Sequence, residues 1–420
     1  MITALKKLVA DRRGNALVIA GASLPLLVGS AGLASDTIQW TLWKRQLQRA
    51  ADSAAYAGVY ARFANETVAT AVATDVARNN HTLATLVPGF PTFSQPANTP
   101  NSINAVQVNL EASKSLGFSS LFLAAAPIIR ATATAAAVND GAFCAIGLDP
   151  STTPAISISG SATANLGCGA ISNSTSPTSA VDVNGNSYSF IADPVASVGG
   201  MPSSINGATD LQPGHMPQPD PFEGLYPTDV PGGMNCQNFN QKVTTTTTGT
   251  GHNRVTTYGL QPGCFNSFNP GNQTYNLQPG VYYLNDTSFV MNGNATLIGT
   301  DVTFILTGTN PGSLQINGTS TLQLTAPTSG PYSKMLFIQS ANASSANNNT
   351  VNGTNTSVYD GAMYFPKGTV SFTGTSGATT KCVMVVGFRL AFNGNTNLQN
   401  DTGGCTADQK KPGWKIRLVS

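Results

Sequence analysis

The sequence predicts an α+β fold: a long N-terminal helix that starts in a membrane, a small α+β module, and a large β-rich domain. Three observations carry this. Asn15 to Ser35 holds no charged residue and, at about 1.5 Å per residue, reaches about 30 Å as a helix, the thickness of a bilayer's hydrocarbon core. Beyond it, Trp40, Trp43, Leu47, Ala50, Ala54, Ala57 and Ala61 recur in steps of three and four, the spacing of one helix face. From Cys144 onward, short runs alternate apolar and polar residues and stop at Gly, Asn or Thr, the pattern of strands buried on one face.

The elements follow in chain order. Residues 1–14 are a basic cytoplasmic segment, with Lys6, Lys7, Arg12 and Arg13 setting an N-in orientation by the positive-inside bias. Residues 15–35 are the transmembrane helix. Pro25 and Gly21, Gly29 and Gly32 are better tolerated in a bilayer than in water. A cleaved signal peptide ending at Ala34 is the competing reading. The helical face running unbroken past Asp36 argues against it.

Residues 36–140 form an α+β module on the far side of the membrane. "NETVATAVATDVARNNHTLATL" is a second helix, capped by Asn65, with Val68, Val72, Val76 and Leu83 near helical spacing. A Pro-rich loop and a short α+β closure follow.

Residues 141–192 are a first β-rich portion. Residues 193–255 are a Pro/Gly-rich excursion and linker that includes "VTTTTTGTG", and 256–420 are the C-terminal β-rich domain. In "DVTFILTG", Phe304 and Leu306 alternate with Thr303 and Ile305. A right-handed β-helix-like solenoid is preferred because the runs are short and the turns Asn-rich; a β-sandwich is the alternative. Strand spacing is irregular, so no fixed repeat is read.

Composition narrows the function. Charged residues make up 10% of 420, with net charge +2, and no basic stripe of the kind that tracks phosphates appears, which excludes nucleic acid as a partner. The six cysteines, Cys144, Cys168, Cys236, Cys264, Cys382 and Cys405, form no C-x-x-C pair and the histidines are scattered, so zinc is not expected. Proximity suggests three sequential disulfides, each worth on the order of 3 kcal/mol, in an oxidising compartment; six cysteines allow 15 connectivities, and buried thiols are the alternative.

No compact catalytic set is found. "AIGLDPSTT" places Asp149, Ser151 and Thr153 like a metal-binding loop, yet Pro154 and a period-2 run follow where a helix should. Asp220, Glu223 and Asp229 share one loop, read as solvated rather than as a glycosidase or Ca²⁺ site. His215 and His252 lie in loops. There is no G-x-S-x-G elbow and no P-loop. "GVYYLND" and "GAMYFPKG" are weighed as glycan or partner contact strips, and otherwise read as core and edge.

"RRGNALVIAGASLPLLVGSAGLASDTIQWTLWKRQLQRAADSAAYAG" (Arg12 to Gly58) resembles the N-terminal region of TadG-like proteins of the bacterial Tad/Flp pilus assembly system. The likeness extends to about residue 175, through Val106–Val138 and the cysteine-bracketed Cys144–Ser174. It implies a single-pass inner-membrane protein with its bulk in the periplasm or exposed at the envelope. Other pilus assembly proteins are its expected partners, with a glycan or surface ligand possible. Prepilins carry a Glu five residues after the Gly that is cut; here Gly14 is followed at that place by Ile19. The expectation is therefore a non-enzymatic assembly or attachment accessory without a cofactor, and not a filament subunit. The alternative is a tethered or secreted carbohydrate-active enzyme or adhesin on a β-helix.

Overall fold

The computed structural model describes residues 14–79, 85–99, 102–139, 143–185, 187–249, 254–317, 319–352, 356–373, 377–395, 397–402, 405 and 413–419. It divides into two compact units, Met1–Val138 with Ile416–Ser420, and Asn139–Lys415.

In the first unit, helix α1 (Gly14–Phe63) runs for 50 residues, about 75 Å at 1.5 Å per residue. Its second half is buried through Trp43, Leu47, Ala50, Ala54 and Ala61; Trp40 alone of the large residues on the expected face stays 36% exposed. The small residues let a sheet come close: a Cβ added at Gly58 would meet Val106 Cγ1 at 2.7 Å. Asn65 ends α1 rather than starting the next helix. It adopts φ 54°, a left-handed turn that Asn tolerates, and the Glu66 amide donates to the Ala61 carbonyl at 2.8 Å. Helix α2 (Val68–Asn79) buries Val68, Val72 and Val76; Leu83 lies outside the described residues.

The sheet beside these helices contains β1 (Thr85–Leu86), β2 (Thr92–Ser94), β3 (Ser102–Ser113) and β4 (Ile128–Asn139), all antiparallel. The final strand (Trp414–Leu418), whose residues from Ile416 belong to this unit, lies beside β4.

The expected membrane span is met as a helix but not as a span. Among the described residues, no helix is long and apolar enough to cross a membrane; glycines, Ser23 and Ser30 dilute the apolar run. Lys6, Lys7, Arg12 and Arg13 lie outside the described residues.

In the second unit, two long ladders are parallel in nearly every pairing. One runs Gln237–Asn238, Gly263–Ser267, Gly280–Asn285, Val302–Thr307, Met335–Gln339, Ala362–Phe372, Val385–Phe392, then Phe143–Gly147, Gly169–Ser172, Val195–Ser197 and Leu211–Pro213. The other runs from the Val243–Thr248/Val255–Leu260 hairpin, its one antiparallel pair, to Ser189–Ile191. Successive strands of one ladder alternate along the chain with strands of the other. An antiparallel sandwich would need hairpin pairing throughout, so that alternative is excluded.

The long ladder carries register shifts at Gln237/Asn238, Met335/Phe337, Phe365/Thr369 and Phe143/Ala145, and the connections vary in length, which is why no fixed period is visible in the sequence. The core between the ladders is lined by Leu284, Phe304, Leu306, Leu297, Leu322 and Leu324, with Phe304 and Phe337 stacked at 5.5 Å.

The two β-rich portions read as separate in the sequence are one body. Val385–Phe392 pairs directly with Phe143–Gly147 and Ile156–Ser159, and Asn397–Asp401 pairs with Thr163–Asn165. The chain thus enters its ladder in the middle, builds to one end, and resumes at the other. The Pro/Gly-rich excursion makes that return journey. It is a strap, not an interdomain linker, and its first part contributes the strands Val195–Ser197 and Leu211–Pro213.

Phe222, Leu225, Tyr226 and Val230 cover the outer face of the long ladder, over Ile146, Val386, Tyr364, Ile338, Ile305 and Tyr283. From the Gly169–Ser172 strand to Gly263–Ser267 is seven ladder steps, roughly 34 Å at about 4.8 Å each. A strap running across the strands cannot share their hydrogen bonds. Its prolines lack the N–H that would otherwise need a partner, and side chains take its carbonyls: Thr307 Oγ1 donates to Pro227 at 2.9 Å and Asn342 Nδ2 to Thr228 at 3.1 Å.

Candidate functional site

The first half of α1 exposes a run of large apolar side chains. Leu24, Leu26, Leu27, Val28, Leu33 and Ile38 are all more than half exposed, as is Ile19 at 66%. Its hydroxyls bond to the helix backbone: Ser30 Oγ donates to the Leu27 carbonyl at 2.9 Å and Thr37 Oγ1 to Leu33 at 2.7 Å.

Asp36 closes this stretch. Its carboxylate is 4% exposed and accepts from Ser119 Oγ at 2.6 Å, Phe118 N at 3.1 Å and Ser119 N at 2.5 Å. The Ser119 hydroxyl first, then the backbone amides, hold the carboxyl below its ordinary range against the opposing effect of burial. Further along α1, Lys44 Nζ lies 5.4 Å from the Trp40 ring and Lys114 Nζ 4.9 Å from Trp43, within cation–π reach.

The cysteines sit in three sequential pairs. Cys144–Cys168, Cys236–Cys264 and Cys382–Cys405 have Cα atoms 5.9, 4.4 and 5.4 Å apart, within the reach of a disulfide. The first two each join one strand of the long ladder, at Cys144 and Cys264, to the residue just before its paired neighbour, Cys168 and Cys236.

The acidic candidates are placed as structure. Asp149 accepts from Ser151 N at 2.9 Å and from Arg389 Nε at 2.7 Å, so it holds the Phe143–Gly147 strand to Val385–Phe392. Asp220 accepts from Tyr364 Oη at 2.5 Å and Phe222 N at 3.0 Å. Burial raises the Asp220 carboxyl, with the Tyr364 bond opposing. Glu223 and Asp229 are exposed. His215 Nδ1 lies 2.9 Å from the Met216 carbonyl, and His252 lies outside the described residues.

Among the described residues no group of three or more His, Cys, Asp or Glu could hold a metal. The considered contact strips are mostly buried: Tyr282 and Tyr364 have no exposed surface, and Tyr282 Oη donates to the Gln278 carbonyl at 2.6 Å. Burial pushes Tyr283 up to about 12.

Sequence reasoning missed three things. The Asp36 clamp joins residues more than 80 apart in sequence, and no spacing signals it. The strap was signalled only by its prolines. A polar groove of about 600 Å³, lined among others by Ser267, Asn269, Asp286, Asn310 and Asn347, was also not foreseen. Its acid, Asp286, is occupied by Asn310 N at 2.6 Å and Thr309 Oγ1 at 3.2 Å.

Residues 14–65 match a family model described as "Putative Flp pilus-assembly TadE/G-like". The match coincides with α1 and its terminating turn; the likeness read for 66–175 lies beyond it. Neither curated proteins nor solved structures yield a match.

Proposed function

We propose that this chain is an envelope protein of a Tad/Flp-type pilus system, acting by protein–protein contact in assembly or surface attachment. The observation that carries the reading is that the TadE/G-like match falls on α1, the helix whose first half exposes its apolar side chains. On this reading the uncharged stretch Asn15–Ser35 anchors the chain in the inner membrane with its N-terminus in the cytoplasm. Bilayer rather than water then covers Leu24, Leu26, Leu27 and Val28, and the paired cysteines belong to the oxidising side.

The second unit serves as a right-handed β-helix-like solenoid that presents its polar turns to partners. Ile19 stands where a pilin would carry Glu, which favours a stationary accessory over a filament subunit. On this reading the role is protein–protein contact and not catalysis, and Asp286 in the polar groove serves to hold its own loop.

Two experiments test this. Alkaline carbonate extraction of membranes should leave the full chain in the pellet; complete release would refute the anchor. Removing the gene from its host should reduce Flp pili counted by electron microscopy, or surface adherence, and re-expression should restore them. Unchanged piliation and adherence would refute the pilus role.

A further inference from the structure

We propose that the segment Leu116–Pro127 is a second membrane contact, dipping Leu121, Phe122 and Leu123 into the periplasmic-side leaflet beside α1. The inference rests on the anchor reading and adds a monotopic element to it.

The segment joins β3 to β4 and carries no charge between Lys114 and Arg130. Leu121 and Phe122 are 74% and 75% exposed and Leu123 52%. Three consecutive large apolar side chains at that exposure are costly in water. Their position says what covers them. Asp36 grips Phe118 and Ser119 as described, and the Phe118 ring fills the notch left by Gly32, where any Cβ would overlap it. The segment is therefore pinned at the level of residues 32–36, the outer end of the uncharged stretch of α1.

On its other side, Lys114 reaches Trp43, and Lys44, Arg45 and Arg49 follow along α1. At about 1.5 Å per residue Lys44 lies about 12 Å and Arg49 about 20 Å past Asp36, beyond a headgroup layer about 5–8 Å deep and on the side that faces anionic headgroups. The apolar tip and the basic collar thus lie on the sides that lipid tails and anionic headgroups would occupy. The Asp36 clamp also answers how a carboxylate survives at that depth: it meets three donors and needs no water. A short apolar loop of this kind lies in the interface and does not span.

The test uses the full chain in vesicles of phosphatidylethanolamine and phosphatidylglycerol. The described cysteines are all paired, so a single added thiol can carry an environment-sensitive fluorophore. Phe122→Cys and Leu121→Cys report on the loop, Leu27→Cys on the anchor, and Glu66→Cys on an exposed site. The expected result is a blue shift at 122 and 121, with loss of emission when the lipids carry a nitroxide high on the acyl chain, and no loss at 66.

Quenching at 27 but not at 121 and 122 overturns this proposal and leaves the anchor standing. Quenching at none of the three overturns both. A blue shift at 122 that ignores lipid nitroxide and grows with protein density assigns the loop to a second copy of the chain and overturns the membrane contact.

Discussion

Replacing Ile305 with alanine asks whether the outer face of the long ladder is covered or solvated. By alternation Ile305 points away from the core that Phe304 and Leu306 fill, and a solvated side chain there would cost almost nothing to shorten, within about 0.5 kcal/mol. In the structure Ile305 has no exposed surface, because the strap residues and the flanking Tyr283 and Ile338 enclose it. Ile→Ala deletes three carbon groups at about 0.8 kcal/mol each, and the unfilled space under a proline-stiffened strap adds to that. The expected loss is about 3 kcal/mol, inside the 2–5 kcal/mol range for such truncations.

The matched control is Ile298→Ala on the outer face of the other ladder, where Ile298 is 38% exposed; its cost should stay below about 1 kcal/mol. Urea unfolding of the disulfide-intact chain, followed by circular dichroism and compared at equal slopes, gives both values. Equal midpoint shifts for the two variants would refute the covering role of the strap.

Other outcomes follow from the same geometry. Burial raises the Asp220 carboxyl above its ordinary value near 3.8. The stability it contributes is therefore fully present below that value and lost as pH rises through the raised one. Asp220→Asn should flatten the pH dependence of amide exchange at Phe222 and Leu225, and identical profiles for the two proteins would refute this.

Asp149→Ala removes the partner of Arg389, whose side chain is 37% exposed and can rehydrate. The cost should be about 1–2 kcal/mol, below the 3–5 kcal/mol of a fully buried pair. A loss beyond 3 kcal/mol would show that water does not reach the guanidinium. Gly58→Leu should destabilise the first unit by about 1–3 kcal/mol despite the gain in helix propensity, because Val106 and Val72 leave no room. An unchanged melting temperature would contradict that packing.

Much of the fold is legible in the residues. The 3-4-3-4 run from Trp43 to Ala61, the valines of α2 and the period-2 runs after Cys144 are local patterns, and burial follows them. The cysteine pairs are legible for a related reason: the first two each close one ladder step. What was hidden is non-local. Nothing in Val385–Phe392 announces that it pairs with Phe143–Gly147, more than 230 residues away, since any half-buried parallel strand reads alike. Asn65 looked like an N-cap because Asn serves equally as a left-handed C-terminal stop, and only backbone geometry separates the two uses. For the candidate site, lack of charge marked α1, but the Asp36 clamp depends on a loop that meets it only after β3 has folded back.

The meeting of Val385–Phe392 with Phe143–Gly147 also sets an order of events during synthesis. The strands of 143–213 emerge first, yet one side of their ladder stays open until the last coil has been made. For that interval a β-strand edge built of Ala145, Ile146 and Gly147 is available to any chain that finds it. A nascent chain stalled before Val385 would carry a permanently unfilled edge. Folding of this domain is thus coupled to synthesis of Val385–Phe392, and products truncated before it should be the ones that aggregate.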